Sequence, residues 1–296
     1  MMKTALSIIQ DVMYRFNLSN VPDALFGETD PNTLQLLHTL YAVCEELRQA
    51  GIWSVQKRAF EFDTEVDRIQ YSLPKDYYMP LLSTHWNNDE KWPLIGPVSD
   101  ERYNWHVRSD YSASHNYIYR IFGWDGNSNT ELGQFYVNPT PGEAQTLSYD
   151  YITRHLFLPQ NWEPETTYAA DTDYVNVNGN IYLCKTDGDS SADDPPSGQT
   201  TAITDGTAKW DYYNVPYEEL KADTDLCLFD YDLVKLGIRA KWSGEKRGDI
   251  YSEKAEREYE GKIEKAIARY KGSFKGSMAR RAIEPRYSIP WRNWSL

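Results

Sequence analysis

The sequence predicts an α+β protein in which N- and C-terminal helices form a helical bundle packed with a small antiparallel β-sandwich or barrel. Apolar residues recur at helical spacing near both ends of the 296-residue chain. Between them, short alternating segments bounded by Trp and Pro are typical of antiparallel strands rather than of βαβ units. A change of composition in the middle and a basic, proline-containing end predict two additions, an inserted small β-module and an extended C-terminal arm.

The composition is that of a folded protein with an acidic surface. Hydrophobic residues make up 41% of the chain, and 10 Trp and 23 Tyr supply large side chains for a core. The formal charge of -13 argues against a general nucleic-acid binder, including one that stacks single strands on its aromatics. The three cysteines, Cys44, Cys184 and Cys227, are widely spaced, which predicts reduced thiols.

The first residues resemble a signal peptide only superficially. Gln10, Asp11 and Arg15 interrupt the apolar run of "MMKTALSIIQDVMYRF", so an amphipathic helix is the better interpretation. No segment approaches the roughly 18 apolar residues of a membrane span, and we expect no membrane partner.

Four helices are predicted, two at each end of the body. The second has the clearest boundaries, since Asp30 suits an N-cap, Pro31 suits the first turn, and Gly51 suits a left-handed C-terminal residue. The four predicted ranges are Thr4–Phe16, Pro31–Ala50, Asp225–Trp242 and Asp249–Lys271.

The segment "RAFEFDTEVDRIQYSLP" alternates like a hairpin, with Phe60 and Phe62 on one arm and Ile69 and Tyr71 on the other. Further short strands are predicted beyond it. They lie near Leu81, Leu94, Tyr117–Phe122, Leu132–Val137 and Leu147–Ile152.

A small β-module is predicted in the middle of the chain. "YVNVNGNIYLCKTDG", from Tyr174 to Gly188, reads as two alternating strands around an Asn-Gly turn. Residues 162–216 also carry ten acidic side chains against Lys185 and Lys209 alone. The composition shift and the hairpin together indicate an inserted domain with a solvated surface.

Four aromatic residues of this segment have two interpretations. Trp162, Tyr168, Tyr182 and Trp210 fall at strand positions around the hairpin. Exposed and coplanar, they would stack on sugar rings and bind a glycan. A module of this size also needs several aromatics merely to build its core. The sequence leaves both interpretations open.

The C-terminal segment has neither helical nor strand periodicity. Pro285 and Pro290 exclude a regular helix, and six basic residues from Lys271 onward oppose only Glu284. Such a segment suits an arm that docks on an acidic partner surface, although folding back over its own body remains an alternative. The arm residues expected to dock are Arg280, Arg281, Arg286, Tyr287, Trp291, Arg292 and Trp294.

Motifs of catalysis are mostly missing from the sequence. No nucleophile elbow, zinc-binding HExxH, P-loop or dinucleotide fingerprint is present, and the five histidines are scattered. "DGDSSADD" lacks the Gly and Glu that a calcium loop requires at its sixth and twelfth positions. We therefore predict no catalytic residues, no cofactor and no metal site. Glycoside hydrolysis needs two carboxylates at a defined separation. The sequence does not show which of the 44 acidic residues lie at such a separation, so no catalytic pair can be chosen from it.

With the inserted segment set aside, the chain resembles the head-to-tail adaptor (connector) proteins of tailed bacteriophages, and in particular the tail tubular protein A or gatekeeper group. The similarity rests on a two-helix start, a "Y-x-LP-x-D" segment in "IQYSLPKDYYMPLLST", a "P-x-P" strand pair in "GQFYVNPTPGEAQTLSYDYITR", and "DTDLCLFDYDLVKLGIRAKW" leading into a long charged helix. It covers most of residues 1–160 and 218–272. The insert resembles small carbohydrate-binding modules of the chitin-binding type.

The resemblance implies a division into four parts. An adaptor body spans residues 1–160 and is completed by helices in 218–272, an inserted module spans 161–217, and a docking arm spans 273–296. The insert and the arm are not core features of the family.

The resemblance also implies a structural, non-enzymatic role. The family forms a ring, usually a dodecamer, beneath the portal protein, contacts tail or nozzle proteins, and lines a channel through which genomic DNA passes without sequence-specific recognition. The expected location is the head-tail interface of the virion, after assembly in the host cytoplasm. The alternative is a carbohydrate-binding or carbohydrate-active protein that uses the aromatic insert.

Overall fold

The computed structural model describes most of the chain in atomic detail. For residues 245–247, 249–252 and 270 it gives the backbone alone. The described ranges are 2–108, 117–123, 133–198, 200–213, 215–247 and 249–270.

Within these ranges the chain forms five α-helices combined with antiparallel sheets, so the predicted α+β class is confirmed. The helices are α1 (Ala5–Phe16), α2 (Pro31–Ala50), α3 (Asp100–Arg108), α4 (Tyr231–Arg247) and α5 (Asp249–Tyr270). Four correspond to predicted helices, and α3 was not predicted. Only Tyr103 of α3 is buried, so that helix lacks the apolar stripe by which sequence analysis detects helices.

Side chains set the start of three helices. The Thr4 hydroxyl accepts the Ser7 N–H before α1, and the Asp30 carboxylate accepts two N–H groups at the start of α2, as predicted. Helix α4 starts at Tyr231 rather than at Asp225, because Asp230 accepts the N–H groups of its first turn. Gly51 is extended rather than left-handed, which corrects the prediction for that residue.

The helices of both ends contribute to one hydrophobic cluster. Close approach of α2, α4 and α5 requires a glycine at position 237, where an added Cβ would lie 2.6 Å from Val43 Cγ1 and 2.9 Å from the Tyr259 ring. The most buried contributors include Ile8, Ile9 and Met13 of α1, Leu36, Leu40 and Val43 of α2, Val234 and Ile238 of α4, and Ala255 and Tyr259 of α5.

The described residues between α2 and the insert contain eight strands, which form the β-domain. They are β1 (Lys57–Asp63), β2 (Gln70–Ser72), β3 (Tyr77–Pro80), β4 (Trp86–Asn87), β5 (Trp92–Pro93), β6 (Ile118–Phe122), β7 (Gln134–Asn138) and β8 (Thr146–Thr153). One sheet has the order β1-β8-β4-β5, with β3 also on β8, and the other has the order β2-β7-β6. Both pack on one aromatic cluster that includes Tyr119, Phe135 and Tyr149, and neither closes into a barrel in the part of the chain described.

The hairpin predicted around Phe60 and Tyr71 does not form. β1 pairs with β8 and β2 pairs with β7, so the two arms belong to different sheets. Between them the Tyr71 hydroxyl accepts the Glu65 N–H at 3.0 Å and donates to the Arg68 carbonyl at 2.7 Å, which stabilises a loop instead of a tight turn. The Phe62 and Tyr71 rings still meet in the core, with centroids 4.9 Å apart.

The remaining strands belong to the insert and its flanks. They are β9 (Phe157–Leu158), β10 (Thr167–Tyr168), β11 (Tyr174–Val177), β12 (Asn180–Thr186), β13 (Gly188–Asp189), β14 (Ile203–Asp205), β15 (Ala208–Tyr212) and β16 (Leu226–Cys227). The predicted hairpin is confirmed as β11 and β12, with Asn178 and Gly179 at positive φ in the turn. The hairpin belongs to a four-stranded sheet of order β11-β12-β15-β14, while β10 pairs with β13 and β9 pairs with β16.

Candidate functional site

The insert leaves the body and returns to it through two strands that pair with each other. In this antiparallel pair Leu158 lies opposite Leu226 and Phe157 opposite Cys227. The N-terminal segment joins at the same place, because the Cys227 N–H donates to the Lys3 carbonyl at 3.0 Å. A short ladder therefore closes the base of the insert.

A buried carboxylate holds the returning turn. The Oδ2 atom of Asp225 accepts hydrogen bonds from the Tyr217 hydroxyl at 2.9 Å and from the N–H groups of Lys221 and Ala222 at 2.7 and 3.0 Å. Burial dominates and raises the pKa of Asp225, although these bonds oppose it. Its carbonyl accepts the Ala5 N–H at 3.1 Å, so Asp225 also fixes the start of α1.

A second buried carboxylate lies where the β-domain meets the insert flank. Asp76 accepts the hydroxyls of Tyr151 at 2.8 Å and Thr153 at 2.7 Å, and His155 Nε2 lies 3.3 Å away. His155 Nδ1 accepts the Tyr217 N–H at 2.8 Å, which assigns the imidazole proton to Nε2. Burial alone would raise the pKa of Asp76, but the bonds from His155, Thr153 and Tyr151 outweigh it and lower that pKa.

An ionic cluster bridges α2, the end of β8 and the chain after the insert. Arg48 donates to Glu218 at 2.7 Å and to Glu45 at 2.6 Å. Arg154 binds both Glu218 oxygens, at 3.2 and 3.1 Å. Burial would lower the pKa of Arg48, yet the bonds to the two glutamates raise it. Glu218 therefore joins three segments that are distant in sequence.

On the solvent-exposed side of the insert, Lys221 contacts two tyrosines, Tyr174 and Tyr213. Its Nζ donates to the Tyr213 hydroxyl at 2.7 Å and to the Tyr174 hydroxyl at 3.1 Å. The same ammonium lies 4.3 and 4.5 Å from the centroids of the Tyr174 and Tyr213 rings. Burial would lower the pKa of Lys221, but the hydroxyl contacts raise it. This contact is exposed, so its contribution to stability is small.

The hairpin turn of the insert rests on β1. Arg58 Nε donates to the Gly179 carbonyl at 3.2 Å, and its Nη1 donates to the Val55 carbonyl at 3.1 Å. A Cβ on Gly179 would lie 2.8 Å from Arg58 Cζ. Burial lowers the pKa of Arg58. Glycine therefore suits the positive φ of this turn and leaves room for the Arg58 guanidinium beside it.

The structure places three of the four candidate stacking aromatics inside the insert. Tyr168, Tyr182 and Trp210 are almost wholly buried in one cluster with Val175 and Cys184. A sugar ring has no access to their faces, so for these three the structure corrects the stacking hypothesis in favour of the core interpretation. The physical reason is that the sheet needs an apolar face of its own, and these residues supply it.

Trp162 differs from the other three because it is only half-buried. It lines a surface groove of about 380 Å³ together with Asn161, Asn176, Asn178 and Pro195. Its Nε1 donates to Asp205 Oδ2 at 2.8 Å, which orients the indole. The groove combines one aromatic wall with several amide groups, a combination suited to a polar ring such as a sugar.

Large apolar side chains remain exposed on the β-domain. Trp86, Trp92, Trp105 and Phe122 are 38, 50, 56 and 47% exposed, and Leu82 is 64% exposed. Single exposed apolar residues are common, and each of these large side chains is a candidate for contact with another protein.

The seven residues predicted for the docking arm lie outside the described residues. These are Arg280, Arg281, Arg286, Tyr287, Trp291, Arg292 and Trp294. Their role stays a prediction.

Sequence reasoning missed the polar junction of Arg48, Asp76, His155, Glu218 and Asp225. His155 was treated as an ordinary scattered histidine, and nothing in its local sequence distinguishes it. One signal was available, since Asp76 is the acidic residue of the "Y-x-LP-x-D" segment. Asp76 directly precedes the two tyrosines that begin β3, and an acidic residue next to such large side chains is a candidate for a buried carboxylate.

Among the described residues, no group of three or more His, Cys, Asp or Glu side chains could hold a metal ion. No described helix is long and apolar enough to cross a membrane. No protein-family model matches the chain, and no curated protein matches it either.

Proposed function

We propose that the protein is a structural virion component, a head-to-tail adaptor that forms a ring beneath the portal and connects the capsid to the tail. The observation that carries the proposal is the set of exposed tryptophans on the β-domain, Trp86, Trp92 and Trp105. Their exposure in one chain is explained if they are covered by neighbouring subunits or tail proteins in an assembly.

The architecture supports the same proposal. We propose that α1, α2, α4 and α5 form a helical bundle that carries the β-domain, as the resemblance implies. A shared hydrophobic cluster of the four helices supports this arrangement. The Asp76 network gives a physical role to the "Y-x-LP-x-D" segment on which the resemblance partly rests.

The proposed partners follow from this role. The portal protein receives the C-terminal arm, tail or nozzle proteins bind the opposite side, and genomic DNA passes through the ring without sequence-specific contacts. The net charge of -13 suits such passage, because an acidic lining does not retain DNA. The protein acts in the virion at the head-tail interface and needs no catalytic residue or cofactor for this role.

Imaging and native mass measurement of the purified protein mixed with its portal test the proposal. We expect a closed ring on the portal, of twelvefold symmetry. A Trp92→Ser/Trp105→Ser variant should lose ring formation, while the control Tyr14→Ser, which alters an aromatic that is 69% exposed on α1, should retain it. A wild-type protein that remains monomeric with its portal contradicts the proposal.

Truncation after Gly272 tests the arm separately. If the arm docks on the portal, the truncated protein keeps its stability and loses portal binding, with Trp291 and Trp294 expected to dominate the loss. A loss of several kcal/mol in stability with portal binding intact would assign the arm to the protein's own fold.

The groove at Trp162 favours a second function, glycan binding by the insert. Its aromatic wall and the amides of Asn161 and Asn178 suit a sugar ring. A panel of glycans tests this, with Trp162→Ala expected to abolish binding and Trp92→Ala as a matched control on another exposed tryptophan. Turnover of a glycan would favour the carbohydrate-active alternative, and binding without turnover would favour an adaptor with a glycan-binding insert.

A further inference from the structure

β1 is an edge strand, and β8 is its only strand partner among the described residues. The Thr64 N–H continues this ladder by donating to the Gln145 carbonyl at 2.8 Å. Alternate residues of an antiparallel strand bond to opposite sides, so Phe62, Phe60 and Arg58 share the side of Thr64 and face β8. The intervening residues therefore face away from the sheet.

The open side of β1 presents the backbone groups of Ala59, Glu61 and Asp63. Lys57 is already satisfied there, since its N–H donates to the Ser54 carbonyl and its own carbonyl accepts from Arg58 Nη1 at 2.9 Å. An extended edge of this kind is a template for another strand.

The aromatic residues of β1 are also only partly covered. Phe60 and Phe62 stack on each other with centroids 5.9 Å apart and lie against the β-domain core, yet both remain half-buried. An added strand would complete their burial. With respect to the described part of the chain, the edge therefore offers unpaired backbone groups and accessible aromatic surface together.

The charges of β1 identify the strand that fits this edge. The sequence "KRAFEFD" is basic at its start, aromatic at its centre and acidic at its end. Reversed, as in an antiparallel pairing centred on Phe60, it places Lys57 opposite Asp63 of a second copy and Arg58 opposite Phe62 of that copy. The strand is therefore complementary in charge to itself.

We propose that the free protein forms a two-fold dimer in which the β1 edges of two copies pair antiparallel about Phe60. In this register Ala59 and Glu61 of each copy exchange backbone hydrogen bonds, and the two Phe60 rings meet at the axis. A register centred on Glu61 opposes two like carboxylates, and one centred on Ala59 runs Asp63 into the 3₁₀ turn Ser54–Gln56.

The dimer goes beyond the proposed adaptor role and does not depend on it. A two-fold contact uses the same surface on both copies and closes on itself, whereas a ring needs two different surfaces. Pairing of free copies would shield the β1 edge from non-specific strand addition before assembly.

Sedimentation velocity over a range of concentrations, combined with a charge swap, tests the dimer. We expect a monomer–dimer equilibrium in the wild type that weakens about tenfold or more in Lys57→Asp and in Asp63→Lys, because each places like charges opposite one another in both pairs. The double variant Lys57→Asp/Asp63→Lys restores opposite charges and should recover wild-type dimerisation.

Two further variants keep the result unambiguous. Ala59→Pro removes an N–H that faces away from β8 and should abolish the dimer while leaving the monomer folded by circular dichroism. Lys75→Asp makes the same charge change as Lys57→Asp at an exposed site off the edge and should have no effect. A wild type that stays monomeric, or a double variant that fails to recover, overturns the proposal whether or not a ring forms with the portal.

Discussion

The two faces of the insert's sheet are built differently. One face packs on a small aromatic core of its own, with Tyr168, Tyr182 and Trp210. The opposite face joins the helical core through Ile181, with Tyr174 packed against it. Adjacent residues of β12, Ile181 and Tyr182, thus belong to different cores because successive side chains of a strand point to opposite faces.

This difference teaches that an insert can have its own core without being independent of its host. The inner core suits a module that folds by itself, while the outer face covers apolar surface of the body. We therefore expect the insert to fold separately from the body. We also expect it to contribute stability at the seam, by which we mean the contact between the insert and the body that includes Ile181 and the Gly179–Arg58 contact.

Of the changes considered, replacement of Trp210 by Ala should lower the stability of the insert the most relative to that of the body. The side chain is wholly buried and donates to Asp205 at 3.0 Å, so we expect a loss of about 3–5 kcal/mol from the insert. Hydrogen exchange should show lost protection in β12 and β15 with protection of α2 and α4 retained. Simultaneous loss in the helices would mean that the two cores unfold as one.

Acid should act on the body and leave the insert unaffected. His85 is buried between aromatic rings of the β-domain, and burial lowers its pKa to about 4, whereas residues 161–217 contain no histidine. Because the unfolded chain binds this proton more readily, stability is complete above the ordinary pKa near 6.5 and falls as the pH drops toward 4, by up to about 3 kcal/mol.

Urea titrations of the body at several pH values measure this effect. His85→Phe should remove the pH dependence in that window, while His38→Phe at an exposed site of α2 serves as the control. The lowered pKa of Asp76 affects stability only at more acidic pH, below the ordinary range of a carboxyl group. Equal acid sensitivity of the insert would contradict the assignment to His85.

The seam itself is tested by two glycines of the insert. Gly179 and Gly198 share the same φ of +90°, but only Gly179 faces the Arg58 side chain, and an added Cβ at Gly198 meets nothing within 4 Å. Gly179→Ala should therefore cost about 0.5–1.5 kcal/mol more than Gly198→Ala, because both share the backbone strain and only the Cβ at position 179 displaces the Arg58 guanidinium from its hydrogen bond to the Gly179 carbonyl. Thermal unfolding of the two variants gives the comparison, and equal losses would place the seam's stability elsewhere.

Loss of the Lys221 contact should be the smallest of these effects. Lys221→Met keeps the length of the side chain and removes the charge held by Tyr174 and Tyr213, at an expected cost of about 0.5–1 kcal/mol. The difference should shrink at high salt, because the contact is exposed. Chemical denaturation at two salt concentrations measures it, and a loss above 2 kcal/mol at either would contradict a minor role.

Local patterns were sufficient for some elements and insufficient for others. The Asn178–Gly179 turn and the start of α2 at Asp30 follow from short-range chemistry, and both were predicted correctly. The pairing of β1 with β8 depends on residues nearly a hundred positions away, and local alternation in "RAFEFD" cannot distinguish that partner from a neighbouring strand.

The polar junction was hidden for the same reason. Glu218 bonds to Arg48 and Arg154, which lie on segments far from it in sequence. The burial of the hairpin on both of its faces could, however, have been predicted from the sequence. Ile181 and Tyr182 are consecutive large apolar residues in a strand, which indicates burial on both faces.

The paired strands β9 and β16 make the base of the insert a suitable site for inserting another domain into the chain. Their Cα atoms are separated by one strand spacing, about 5 Å, so any domain whose termini lie close together can be spliced there with little loop-closure entropy. Tyr217 must stay with the host, because it bonds to His155 and Asp225. A fluorescent or affinity domain exchanged for residues 161–212 would report on the protein's location while leaving Tyr217 and the paired strands in place.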